Sequence, residues 1–154
     1  MDKKNTTVGC DKESSAVLQA VYKCGKMGTE SGISILKRVK DDEMRRDMTE
    51  IIDGYQKICA TSSEKLMKMG VTPEDSDLLV KAGSKIGMAV NTMIDSTSSH
   101  LAEMVIQGAN MGITDLQGSL NRYRDSSCSS EALKEAENGI KFNQQVVEDM
   151  KKYL

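Results

Sequence analysis

The chain has 154 residues, 29% charged and 38% hydrophobic, with a formal net charge of −2. That length fits one domain with a buried core, and the mixed charge supplies no basic field for nucleic acid. With no Trp and one Phe there are few rings for bases to stack on, and no apolar run approaches the roughly 20 residues of a membrane span.

The opening stretch MDKKNTTVGCDKESS is polar and lacks an apolar signal core. It reads as a disordered leader over 1–14 ahead of a single helical domain over 15–154, with a cytoplasmic location as the default. The four cysteines, Cys10, Cys24, Cys59 and Cys128, form no CxxC pair and fit no zinc-ribbon spacing. They are expected to be reduced thiols, with Cys10 and Cys128 the accessible candidates for redox control.

One proline, Pro73, and a composition rich in Met, Lys and Glu point to helices. The first is predicted over 15–40, with a seam of Leu18, Val21, Gly25, Gly28, Gly32, Ile35 and Val39 at alternating steps of three and four. The second is predicted over 42–69, with Met44, Met48, Ile51, Tyr55, Ile58, Ser62 and Leu66 on its seam. Asp41, Asp42 and Glu43 suit the start of that helix dipole, and Gly70 suits its C-terminal cap. The short gap makes the two helices an antiparallel hairpin.

A shorter amphipathic segment follows, with Leu79, Ala82, Ile86, Val90 and Met93 on one face. The cap-type cluster Asp95-Ser96-Thr97-Ser98-Ser99 then starts a new helix, predicted from about Ser98 to Asp125. Its seam is traced through Leu101, Val105, Gly108, Gly112, Asp115 and Ser119. After the loop RDSSCSSE the last helix is predicted over 130–153, with Leu133, Ala136, Ile140, Asn143, Val147 and Met150 on its seam. Two hairpins joined by one long connection give an all-α fold: a ferritin-like four-helix bundle with an extra helix in the crossover, the alternatives being an up-down bundle of five helices or a crossover helix merged with the next into one kinked helix.

Within this pattern AVYKCGKMG aligns with MVIQGANMG, so that Met27-Gly28 matches Met111-Gly112, each in the first helix of a hairpin. Glycine inside a helix costs about 1 kcal/mol relative to Ala. Gly25, Gly28, Gly32, Gly108, Gly112 and Gly118 together therefore need compensation. Close helix approach is the expected one, since small residues four apart let backbones meet. A pocket lined by Met27, Met111 and glycine backbone is the alternative.

Candidate metal chemistry is sparse. His100 and Glu103 stand one turn apart; Glu30, Glu50, Asp53 and Asp115 are carboxylates that a bundle could turn inward towards a hard cation. A ferritin-like di-iron site needs Glu-x-x-His on two helices, and the chain has one histidine. No Walker loop, GxSxG or HExxH is present. The eleven methionines suit adaptable packing.

The stretch SSHLAEMVIQGANMGITD resembles a group of uncharacterised small bacterial helical proteins that carry an S-H-I-A-E-M-x-I-Q-G-S-N-M-G-I segment. Ser99, His100, Ala102, Glu103, Met104, Ile106, Gln107, Gly108, Asn110, Met111, Gly112 and Ile113 match; Leu101 and Ala109 depart from it. The resemblance implies a ferritin-like bundle and no established activity.

The leading functional expectation is a non-enzymatic binding or assembly module that forms a homo-oligomer, needs no cofactor and binds neither nucleic acid nor membrane. One alternative is a metal-binding or redox protein holding iron, manganese or zinc at His100, Glu103 and the carboxylates. The other is a small-molecule binder at the glycine- and methionine-lined seam.

Overall fold

The computed structural model describes residues 3–75, 85 and 87–154, with side chains from Lys12 onward. The described residues form an all-helical fold without strands: α1 (Lys3–Leu36), α2 (Asp42–Lys68), α3 (Ser98–Tyr123) and α4 (Ser130–Met150), closed by a 3-10 turn over Lys151–Tyr153. Residues 87–91 add a short helical segment between the hairpins. No helix among the described residues is long and apolar enough to cross a membrane.

Local chemistry sets most boundaries. Asp41, Thr97 and Ser129 each accept a backbone N–H of the first turn that follows, from Met44, His100 and Ala132, which satisfies donors that have no helical partner. Gly70 takes a positive φ of 73° just beyond α2, the left-handed conformation that ends helices at glycine. α1 stops at Leu36 rather than at Lys40. Arg38 N and Val39 N bond back to Ile35 and Leu36 carbonyls as the last turn tightens. Val39 then folds into the core while its carbonyl accepts from Arg45.

At its other end α1 begins at Lys3, ahead of the expected start at Ser15. Ser14 lies 2% exposed, and its Oγ accepts the Ser129 N–H at 2.9 Å. That contact joins residues 115 apart in sequence, so no local pattern announces it. Cys10 lies within α1, and its side chain is outside the described set.

The core forms two clusters, one at each end of the bundle. The first joins Ile35 and Val39 of α1 to Met44, Met48 and Ile51 of α2, Leu101 and Val105 of α3, and Val146 and Met150 of α4. The second joins Val17, Leu18 and Val21 to Leu66, Leu116, Leu120, Ala132 and Ala136. These memberships fix the directions: α1 runs against α2, α3 runs against α4, and α2 and α3 point the same way. Lys68 and Ser98 therefore lie towards opposite ends of the bundle.

Both ends of the connection between them are held to the first hairpin, by α1 and by the turn after it. Gln19 Nε2 donates to Thr72 O, and Gln19 Oε1 accepts from Glu74 N. Tyr22 and Lys26 both donate to the Asp75 carboxylate. Farther along, Arg38 Nη2 donates to Met93 O at 2.6 Å, and Val90 is buried in the first cluster. Of the predicted crossover face, Val90 and Met93 reach that cluster; Leu79, Ala82 and Ile86 lie outside the described residues.

The buried residues of α2 reproduce its predicted seam, with Ile52 added and Ile58 half-buried. α3 differs. Its buried residues are Leu101, Ala102, Val105, Ala109, Leu116 and Leu120, so the seam steps onto Ala109 and Leu116 and leaves Gly108 and Asp115 exposed. Following the glycines displaced the expected stripe by one residue. Burial follows the side chains with apolar area to remove from water.

Candidate functional site: a polar layer beneath a cleft

Between the two clusters lies a polar layer. Tyr55 of α2 donates its hydroxyl proton to Asn143 Oδ1 at 2.7 Å. The Asn143 amide donates to Gly139 O at 2.8 Å and to Cys24 Sγ at 3.4 Å. Asn143 is 1% exposed, so this full set of partners is what makes its burial tolerable. The Tyr55 ring meets Phe142 edge-on, with centroids 4.9 Å apart and planes at 83°, a preferred aromatic arrangement. Burial pushes the Tyr55 hydroxyl far above its ordinary pKa. Burial also raises the Cys24 thiol, opposed by the Asn143 hydrogen bond and reinforced by the Asp115 carboxylate. Both groups hold their protons near neutrality.

The glycines make this layer fit. A Cβ on Gly28 would stand 2.4 Å from the Tyr55 ring, and one on Gly112 would stand 2.9 Å from Asn143 Oδ1. The glycines of the two Met-Gly copies thus make room for the two members of one hydrogen-bonded pair. Gly25 brings α1 against the α2 backbone itself: its Cβ would lie 2.7 Å from Cys59 N and 2.9 Å from Tyr55 O. Gly32 packs on Ile52, with 2.7 Å to Cγ1. Gly108 and Gly118 depart from the close-packing expectation, since a Cβ there meets nothing within 4 Å.

Gly108 instead borders a cavity of about 240 Å³ between α1 and α3. Met27 and Met111 line it together with Met48 and Met104, and Tyr55, Asn143 and Cys24 border it along with Lys23, Ser31 and Asp115. Adjacent residues on a helix are about 100° apart. A glycine turned towards its neighbour therefore swings the preceding methionine aside, and both copies swing theirs into this cleft. Met111 remains 61% exposed.

The six candidate metal ligands are not gathered. His100 and Glu103 form an outer pair on the first turn of α3, Nδ1 to Oε2 3.6 Å, with side chains 37% and 54% exposed. Glu30 is exposed on α1. Asp53 is exposed on α2 and pairs with Lys57 at 2.8 Å. Glu50 borders a separate surface groove between α2 and α4. Asp115 is exposed beside the cavity. Among the described residues no three His, Cys, Asp or Glu side chains come together as a metal set. The four carboxylates are exposed, and each sits off the apolar stripe of its helix.

Sequence reasoning placed Tyr55 and Asn143 on their seams but gave them no role. The available signal was a pair of polar groups at otherwise apolar stripe positions. Among the described residues Cys24 and Cys59 are free thiols. Comparison with protein-family models, with curated proteins and with solved structures gives no match to this chain.

Proposed function

We propose that the chain is a non-enzymatic binding module that holds a small, mainly apolar molecule in the cleft between α1 and α3. The observation that carries this reading is the methionine- and glycine-lined cavity itself, set over a satisfied polar layer. Natural interiors are close-packed, and a concave apolar site with a few converging polar groups is the usual form of a ligand pocket. A bundle meant only to be rigid has no use for Gly108, which carries the helix cost of glycine and allows no close contact.

The order of helix directions supports a ferritin-like arrangement, since that form joins two hairpins by one long connection. The resemblance to the small bacterial helical proteins fits the same arrangement and adds no activity. The iron, manganese or zinc alternative draws no support from the positions of His100, Glu103, Glu30, Glu50, Asp53 and Asp115. Self-association is proposed through exposed apolar side chains such as Met111 and Ile33, and light scattering across a concentration series tests it.

Thermal unfolding with a panel of small neutral aromatic and aliphatic compounds tests the ligand reading. A compound present at 100 times its Kd adds about 2.7 kcal/mol, which raises Tm by roughly 5–10 °C in a domain of this size. Gly108→Leu, which places a bulky side chain at the cleft, is expected to remove the shift while leaving the helix content intact. A panel with no saturable binder refutes the proposal.

A further inference from the structure

We infer that the molecule held in this cleft is neutral and carries a hydrogen-bond donor, a hydroxyl or an aromatic N–H, directed at Tyr55 and Asn143. The inference rests on the reading of the cleft as a ligand site and adds the chemistry of the ligand.

The argument is a count of protons. Tyr55 has one O–H, and it is given to Asn143 Oδ1. The Asn143 amide has two N–H bonds, given to Gly139 O and to Cys24 Sγ. The pair has no proton left to offer. What remains is acceptor capacity, on the phenolic oxygen and on the second lone pair of the amide oxygen. The high pKa of Tyr55 keeps its proton in place. The thiol proton of Cys24 is the remaining donor of the layer, and a weak one; the Ser31 hydroxyl and the Lys23 ammonium border the cavity from α1, outside the layer. A ligand carbonyl or ether oxygen pushed against this surface faces lone pairs and loses its water without replacement. A ligand donor completes the network.

Charge and size narrow the class further. The two charged residues bordering the cavity, Lys23 and Asp115, are of opposite sign, so neither an anion nor a cation gains a net field there, and a buried charge is costly. A dry cavity of about 150 Å³ takes benzene. The volume here, about 240 Å³, suits a bicyclic ring or a short chain. Methionine thioethers are polarisable, adapt their shape and contact aromatic rings favourably, which favours the ring.

Titration calorimetry of the full chain with three probes of one bicyclic frame tests this. Indole offers an N–H, indene offers neither donor nor acceptor, and benzofuran offers an acceptor oxygen. Indole is expected to bind about three- to tenfold more tightly than indene, the worth of one net hydrogen bond. Benzofuran is expected to bind no more tightly than indene. In the double variant Tyr55→Phe/Asn143→Leu the indole advantage is expected to vanish while indene binding persists. Equal binding of the three by the unaltered chain, or tightest binding by the anion indole-2-carboxylate, overturns the donor inference and leaves the ligand reading standing. Absence of binding by all of them overturns both.

Discussion

The glycines of α1 and α3 fall into two structural classes, and a pair of matched substitutions separates them. Consider Gly25→Ala and Gly108→Ala. Both replace glycine by alanine inside a long helix. Both therefore gain the same helix propensity, about 1 kcal/mol, and the same restriction of the unfolded chain. Those terms cancel in the comparison. What differs is the space. The new methyl at position 25 would stand 2.7 Å from Cys59 N and 2.9 Å from Tyr55 O, both backbone atoms of α2. Backbone does not rotate away, so α1 and α2 must separate along a well-packed hairpin. Overpacking of this kind costs about 1–3 kcal/mol. The methyl at position 108 meets nothing within 4 Å and costs nothing in contact. Gly108→Ala is therefore expected to be about 1 kcal/mol more stable than the parent, with Tm raised by roughly 2–4 °C. Gly25→Ala is expected to lie about 1–3 kcal/mol below Gly108→Ala. Urea unfolding followed by circular dichroism measures both from midpoints at constant m-value. A difference smaller than about 0.5 kcal/mol, or a Gly108→Ala variant less stable than the parent, would refute the division of the glycines.

Other perturbations test the polar layer and the bundle end. Tyr55→Phe leaves Asn143 Oδ1 buried without its donor and is expected to cost about 1–3 kcal/mol; a double-mutant cycle with Asn143→Leu should show coupling of at least about 0.5 kcal/mol. Burial opposes ionisation of Asp47, but hydrogen bonds from Lys152 and Tyr153 outweigh it and hold the carboxyl below its ordinary range. A depressed folded value contributes stability above the unfolded pKa and loses it as pH falls through the folded one. The midpoint gap between parent and Asp47→Asn should thus be open at pH 7 and close below about pH 4. Burial raises the Cys24 thiol, so iodoacetamide should label it far more slowly in the folded chain than in urea, as read by mass spectrometry of its peptide.

How much of this was legible in the sequence depends on the range of the interaction. The α2 seam reads directly, because Met44, Met48, Ile51, Tyr55, Ser62 and Leu66 repeat at helical spacing and are buried at that spacing. The caps at Asp41, Thr97 and Ser129 read as well, since each is a contact within three residues. Long-range polar contacts do not. The Ser14–Ser129 bond that holds the early part of α1, and the Tyr55–Asn143 bond across the bundle, join residues 115 and 88 apart. Asp115 misled because it stands seven residues after Gly108, in phase with the glycines. The apolar residues that set the face, Ala109 and Leu116, lie one position farther on.

The Met-Gly repeat had two candidate explanations, close packing and a pocket, posed as alternatives. The arrangement of the layer makes them one. Gly28 admits the Tyr55 ring from its own hairpin, and Gly112 admits Asn143 from its own. The two hairpins then bond to each other through those side chains. Close approach thus occurs inside each hairpin. Between α1 and α3, where the methionines that precede the glycines are turned, space is left over. A leucine at position 28 or 112 would collide with the polar pair rather than fill the cleft. A leucine at 108 would fill the cleft without touching the pair. Substitution at 108 is expected to alter the cleft while adding helix propensity, and substitution at 28 or 112 to disturb the polar pair that both the bundle and the ligand use.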